Sequence, residues 1–196
     1  MILKDGAGLY TGGICGNMNP TDSTKVYNCV NNGNITGVAI TGGIVGILAI
    51  NATTMNCSND GRIESIQRVA GGIVGQMNQK NSQSYSVVQE CYNSGEIAGT
   101  NGLGGIVGWL GGETEQGTVK KCYSKGSISN TAEESGAIVG KQIRYGVNVK
   151  YENLYYLNTI GLYAINNQEQ YNTDNIKAVE DDIKTYSEFI KWINNL

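Results

Sequence analysis

The pentapeptide Gly-Gly-Ile-Val-Gly at positions 42–46 returns at 71–75 and 104–108, with near-copies GGICG at 12–16 and GAIVG at 136–140. Successive starts lie 30, 29, 33 and 32 residues apart. No other feature restricts the fold of this chain as strongly. Between the copies sits a second signal built on a cysteine, of the form Cys-x-Asn-x-Gly-x-Ile. It begins at Cys29, Cys57, Cys91 and Cys122, and the last of these has Ser124 in the Asn place. An altered fifth copy begins at Leu154, with Leu in the cysteine slot and Asn158 in place of the glycine.

A loose period of about thirty residues with strand-favouring composition is the mark of a stacked array in which each repeat buries its apolar face on the next. Gly, Asn, Ser, Thr, Val and Ile dominate the repeats, Gly alone supplies 28 of 196 residues, and Pro occurs once. That excludes a Pro-rich linker or a collagen-like chain. From each cysteine slot to the next pentapeptide takes 13 or 14 residues, whereas the pentapeptide-to-cysteine segment varies from 11 to 16. The constant connection is fixed by packing and the variable one is a surface loop.

The expected fold is therefore all-β, a β-helix-like solenoid of about five rungs of short parallel strands stacked ~4.8 Å apart. Ile and Val of the pentapeptide are expected to form a strand, flanked by glycine corners. The glycine of the cysteine motif, such as Gly95, is expected to be a second corner with positive φ. A slot that accepts Cys or Leu is a buried slot. Cys29, Cys57, Cys91, Cys122 and Leu154 should thus form one internal column of reduced thiols capped by a leucine, since a free cysteine packs as a small hydrophobe. Side chains stacked in parallel are poorly aimed for a disulfide dihedral.

Residues 1–165 carry the repeats and 166–196 read as a capping segment. In the latter glycine disappears, and Thr185-x-x-Glu188 forms a capping box. It opens a helix from about Thr185 to Asn194 with Phe189, Ile190 and Ile193 on one face and Trp192 at its edge. This helix is expected to cover the open end of the stack, which would otherwise template aggregation. Upstream, Ile176 and Val179 read as a helical extension or an irregular crossing.

Chemistry is constrained chiefly by what is missing. The chain has no histidine, which removes Ser-His-Asp and Cys-His nucleophile systems and the HExxH zinc motif. The cysteines lack metal-ligand spacing, so no cofactor or metal is expected. A net charge of −3 with no basic run gives no electrostatic footprint for nucleic acid. No apolar run is long enough for a transmembrane helix. The start, MILKDGAGLY, lacks the n- and h-regions of a signal peptide, and the chain reads as a fragment of a longer protein. The residues that break the period are the candidates for ligand contact: Trp109, Glu113 and Glu115 in one variable loop, and Tyr85 in another; Trp109, which directly follows Gly108, reads alternatively as a packing residue at the edge of its rung. The acidic pair Glu133-Glu134 reads as solvated surface.

The linked motifs, GGIVG and Cys91-Tyr92-Asn93-Ser94-Gly95, resemble the GLUG-repeat family over roughly residues 8–162. Cys15 and Ala137 depart from its pentapeptide, and Val30 and Ser58 stand where its pattern has Tyr. Such repeats are typical of large bacterial secreted or cell-surface proteins, including non-catalytic regions of IgA-type metallopeptidases. The resemblance implies an extracellular module without catalytic residues, meeting a host or bacterial surface protein, a glycan, or neighbouring domains of its parent. The function expected is structural or adhesive. The alternatives are an accessory domain of a secreted peptidase, or a β-helix that binds or cleaves polysaccharide; cleavage would need paired carboxylates.

Overall fold

The computed structural model describes residues 9–18, 23–79, 85–112, 116–129, 134–142, 148–166, 175–180 and 182–196. The chain coils into a parallel β-solenoid of about four turns. The first turn contains β1 (Tyr10–Gly12), β2 (Cys15–Asn17), β3 (Lys25–Tyr27), β4 (Val30–Asn31) and β5 (Ile35–Gly37). The second repeats them as β6 (Ile40–Gly42), β7 (Val45–Leu48), β8 (Thr53–Met55), β9 (Ser58–Asn59) and β10 (Ile63–Ser65). The third comprises β11 (Val69–Gly71), β12 (Val74–Gln79), β13 (Ser86–Gln89), β14 (Tyr92–Asn93) and β15 (Ile97–Gly99). Later turns fuse two positions into one long strand: β16 (Leu103–Gly104), β17 (Val107–Gly112) and β18 (Gln116–Ser124), then β19 (Ser135–Gly136), β20 (Val139–Gln142) and β21 (Asn148–Leu157). A last strand, β22 (Ile176–Val179), precedes the helix α1 (Tyr186–Ile193).

Like positions pair with like. The strands flanking the pentapeptide bend form two five-stranded sheets, β1-β6-β11-β16-β19 and β2-β7-β12-β17-β20, so five pentapeptides give two faces five strands deep. Ile63 pairs with Ile35 and Ile97 in a third sheet, and the cysteine-bearing strands complete the coil.

The pentapeptide is not a strand between corners; it is itself a corner. Its first glycine ends one strand, the second glycine and the Ile form the bend, and the Val opens the next strand. Ile44, Ile73, Ile106 and Ile138 point inward from that bend and are fully buried, as are Val45, Val74, Val107 and Val139. The glycines are needed for closeness rather than for φ. A Cβ on Gly71 would lie 2.5 Å from the Gly108 amide nitrogen, and one on Gly42 would lie 2.6 Å from that of Gly75. The two sheets touch backbone to backbone there, and no side chain fits.

Gly95 also departs from expectation, because its φ is not in the positive region. A Cβ on it would instead strike the Gly61 carbonyl and sit 2.7 Å from Asn59 Nδ2. The left-handed residue of each turn stands one place before the cysteine slot: Asn28 (φ 56°), Asn56 (54°), Glu90 (53°), Lys121 (49°) and Asn153 (52°). Three of the five are Asn, which tolerates that conformation best among residues with a Cβ. The other two stack as opposite charges, with Lys121 Nζ 3.7 Å from Glu90.

The cysteine column forms as expected from Cys57 through Cys91 and Cys122 to Leu154, all with no solvent exposure. Ile176 pairs with Leu154 and continues it. Cys29 is only half-buried because the first turn has a neighbour on one side alone. In each turn the thiol donates to the carbonyl two residues earlier: Cys57 to Met55 (3.1 Å), Cys91 to Gln89 (3.2 Å) and Cys122 to Lys120 (3.2 Å). Beside it runs an asparagine ladder. Asn31 Nδ2 donates to Asn59 Oδ1 at 2.6 Å, and Asn59 Nδ2 donates to Asn93 Oδ1 at 2.8 Å. Each of the three amides also donates to the carbonyl of the glycine two places on.

The predicted helix is present. Thr185 is its N-cap, with its hydroxyl accepting from the Glu188 amide (3.2 Å), and Glu188 reaches back to the Lys184 amide (2.9 Å). It lies along the flank rather than across the open end. Phe189 packs on the rings of Tyr92 and Tyr123, and Trp192 meets Tyr155 edge-on with centroids 4.7 Å apart. The Tyr92 hydroxyl donates to the Ile183 carbonyl (2.9 Å), and Lys125 holds Asp182 at 2.6 Å. The tyrosines of the cysteine motif are thus the helix's seat. Val30 and Ser58 occupy the same column in the first two turns, before the helix begins. Ile176 and Val179 are neither helical nor irregular: they pair with β21, because Leu154–Leu157 presents a free edge of the same register.

Candidate functional site

Inside the coil the columns at the glycine bend repeat Ile and Val, because neighbours above and below fix their volume. Outward columns are mixed: Tyr27, Met55, Gln89, Lys120 and Glu152 share one register on the cysteine-bearing face. Two places after the pentapeptide valine, the register aligns Asn17, Ile47, Gln76, Trp109 and Lys141 on sheet β2-β7-β12-β17-β20. These five residues share one backbone geometry and carry four chemistries: amide, aliphatic, indole and ammonium. Where this sheet meets β1-β6-β11 at the glycine bend, the outer faces form a groove. Tyr10, Ile40 and Val69 stand on its other wall in one register.

The lining can be built from the residues upward. Ile40, Ile47 and Val69 form its apolar floor, with Trp109 packed against them. Trp109 stands on strand β17 rather than in a loop. Its indole lies flat along the strand because Gly111 follows two places on: a Cβ there would be 3.1 Å from Nε1. The Arg68 guanidinium sits 5.3 Å from the centre of the indole ring, a cation–π geometry. Arg68 is exposed and belongs to the bend between β10 and β11, which is fixed by Gln67 N–H donating to Val38 O (2.9 Å) and Asn101 N–H donating to Arg68 O (3.1 Å).

The space divides in two. A recess of about 80 Å³ lies among Gln67, Arg68, Val69, Asn101, Trp109 and Lys141. It opens beside a groove of about 250 Å³ that runs toward the first turn past Gln76, Ile47, Ile40 and Tyr10. Among the described residues no carboxylate lines either space. Lys141 forms an ion pair with Glu134, which is half-buried rather than freely solvated.

Of the expected contact residues, the structure therefore places Trp109 in a groove. Glu113 and Glu115 lie outside the described residues, as does Glu133. Tyr85 is exposed elsewhere, with its amide donating to Asn51 Oδ1 (2.9 Å). Sequence reasoning missed Arg68, Gln76, Lys141 and Tyr10. The signal that would have found the middle two is the column of unlike residues at a fixed offset from the pentapeptide.

Other charged groups are committed locally. Arg62 holds Glu64 (2.6 Å) and Glu96 (3.3 Å) across neighbouring turns. The hydrogen bond from Arg62 holds the Glu64 carboxyl below its ordinary value, and Lys125 does the same for Asp182. Burial pushes the Cys91 thiol well above its usual range, and the Cys91 thiol together with burial does so for Cys57. Among the described residues no group of three or more His, Cys, Asp or Glu side chains is placed to hold a metal ion. No described helix is long and apolar enough to cross a membrane.

Compared with known proteins, the chain matches no family model, no curated protein and no solved structure.

Proposed function

We propose that this chain is a non-catalytic binding module of an extracellular bacterial surface protein, and that the Arg68–Trp109 groove is its contact surface. The observation that carries the reading is the groove in which Trp109 meets Arg68, with the guanidinium 5.3 Å from the centre of the indole ring. A rigid scaffold holds Gln76, Trp109 and Lys141 at fixed spacing, a function for which solenoids are suited because loops and outward residues vary without disturbing the core. The resemblance of the repeat to GLUG proteins supports the extracellular setting.

The chemistry in reach supports binding rather than turnover. Glu64, Glu90, Glu96 and Glu134 are each engaged by a cation, and the groove lining has no acid–base pair. The test is to display the module against a panel of glycans and surface proteins and to assay products in parallel. Saturable binding that Trp109→Ala weakens, with no product formed, supports the reading. Turnover of any member of the panel, or binding indifferent to Trp109, overturns it.

A further inference from the structure

We infer that the groove takes an anionic polysaccharide, laid along the solenoid axis, with a carboxylate at Arg68 and sugar faces on Trp109 and Tyr10. This rests on the binding reading above and adds the ligand's chemistry. The chain as a whole is acidic, with a net charge of −3, yet among the described residues the charged side chains that line the groove are Arg68 and Lys141, and with Lys141 paired to Glu134 the cation left for a ligand is Arg68. Arg68 stands exposed against an indole, so its planar fork keeps N–H donors for a carboxylate while its face rests on the ring. Gln67, Gln76 and Asn101 add amide groups suited to hydroxyls.

Geometry favours a glycan over a peptide. The inner strands bordering the groove spend their main-chain groups on the turns above and below, and only the terminal strands such as β1 and β2 have a neighbour on one side; a peptide laid along the axis crosses the strands and so cannot pair with them as an added strand. What the groove offers instead is aromatic faces and amide side chains along a line. Tyr10 belongs to the first turn and Trp109 to the fourth, an axial offset of three turn spacings, or ~14 Å. A single small molecule does not span that, whereas a run of linked sugars does.

The test is calorimetric titration of the full chain with an oligogalacturonate, its methyl ester, a neutral glucan oligomer and poly-glutamate. The inference expects saturable binding of oligogalacturonate that weakens as salt rises, and about tenfold or weaker binding of the methyl ester. Arg68→Ala and Trp109→Ala should each weaken binding by about tenfold or more, the loss expected for a charge-assisted bond or a desolvated ring contact. Arg68 is exposed, so Arg68→Ala and Arg68→Glu should melt like the parent, and Arg68→Glu should bind worst. Equal binding of acid, ester and glucan that still depends on Trp109 would overturn the charge inference and leave the binding-module reading standing. Poly-glutamate binding as tightly as oligogalacturonate would overturn the glycan assignment. Unchanged binding by Arg68→Glu would remove the ligand from this groove. Failure of every glycan to bind overturns the inference, and the wider reading falls with it only if the display panel also yields no Trp109-dependent partner.

Discussion

Asn59 is the middle of the asparagine ladder, and replacing it by Ala tests whether the ladder holds adjacent turns together. Its amide donates to Asn93 Oδ1 and to the Gly61 carbonyl, both at 2.8 Å, and its oxygen accepts from Asn31 at 2.6 Å. Asn59 and Asn93 have no solvent exposure, so water cannot replace the lost partners. Two buried hydrogen bonds at about 1 kcal/mol each, plus about 1–2 kcal/mol for the acceptors left bare, give a destabilisation of about 3–4 kcal/mol. In a chain of this size each kcal/mol shifts the melting temperature by about 2–4 °C, so a fall of about 5–15 °C is expected in thermal denaturation followed by circular dichroism. Asn31 supplies the control. It stands in the first turn with only one ladder partner, and its hydrogen bonds are partly solvated, so Asn31→Ala should cost about 1 kcal/mol or less. The double variant Asn59→Ala/Asn93→Ala should cost less than the sum of the single changes, because the two residues share a bond. Equal small shifts for Asn31→Ala and Asn59→Ala would refute the argument that burial makes the ladder matter.

The ladder stops at Ser124, whose buried hydroxyl has no partner; Ser124→Asn should extend it and stabilise by about 1 kcal/mol, and a lowered melting temperature would show that the fourth turn lacks the space. Gly95→Val should destabilise strongly by forcing adjacent turns apart, since a Cβ there meets the Gly61 carbonyl and Asn59, whereas Gly33→Ala at the open end, where the nearest atom is 3.7 Å away, should change the melting temperature little. Thiol labelling mapped by mass spectrometry should modify the half-buried Cys15 and Cys29 first, and Cys57, Cys91 and Cys122 only after denaturation; rapid labelling of all five would dissolve the column. Folded Cys57 and Cys91 keep their protons above the ordinary thiol value of 9.0, so the unfolded chain releases protons first and stability should fall as pH rises past about 9; a Cys57→Ala/Cys91→Ala double variant should flatten that slope near pH 9 while Tyr92 and Tyr186, also raised by burial, keep it at higher pH. Phe189→Ala should free the helix from the tyrosine row and alter Trp192 fluorescence while the solenoid strands persist by circular dichroism.

The stack itself was legible because its cause is repetition. Once Ile, Val, Cys and Gly recur at fixed offsets, only a coil buries them all, and the cysteine column followed directly from the exchange of Cys for Leu154. The helix was legible from Thr185 and Glu188, whose bonds are local. What escaped were features set by contact between turns. The sequence marks Gly95 and the pentapeptide glycines as special but not whether conformation or space demands them; only the backbone packing, which would leave a Cβ on Gly71 2.5 Å from the Gly108 nitrogen, decides for space. The left-handed position fell on Asn28, Asn56, Glu90, Lys121 and Asn153, a mixed set whose two charged members hide the pattern. The flank position of the helix depends on Tyr92, Tyr123 and Tyr155 making a row, which no local rule specifies.

The same reasoning bears on where function can reside. A residue facing the interior of this coil is answerable to the residues above and below it, so its identity reports packing. A residue facing outward from a paired strand has its backbone fixed by the stack, while its side chain is held only by what packs on the outer face, as Ile47 is by Ile40 and Val69 and Lys141 by Glu134. Asn17, Ile47, Gln76, Trp109 and Lys141 are such residues, and stability does not require them to differ. Glycine at position 111 sharpens the point: it opens a space that the indole of Trp109 fills, so two positions of one strand serve a single ring. Reversing this arrangement is a direct check. Trp109→Gln with Gln76→Trp moves the ring one turn along the same column; it should leave the fold intact and abolish Trp109-dependent binding, because Arg68 and the Gly111 clearance stay behind. Binding that survives the exchange would mean that an aromatic anywhere along the groove suffices, and the recess around Arg68 would lose its claim to be the site.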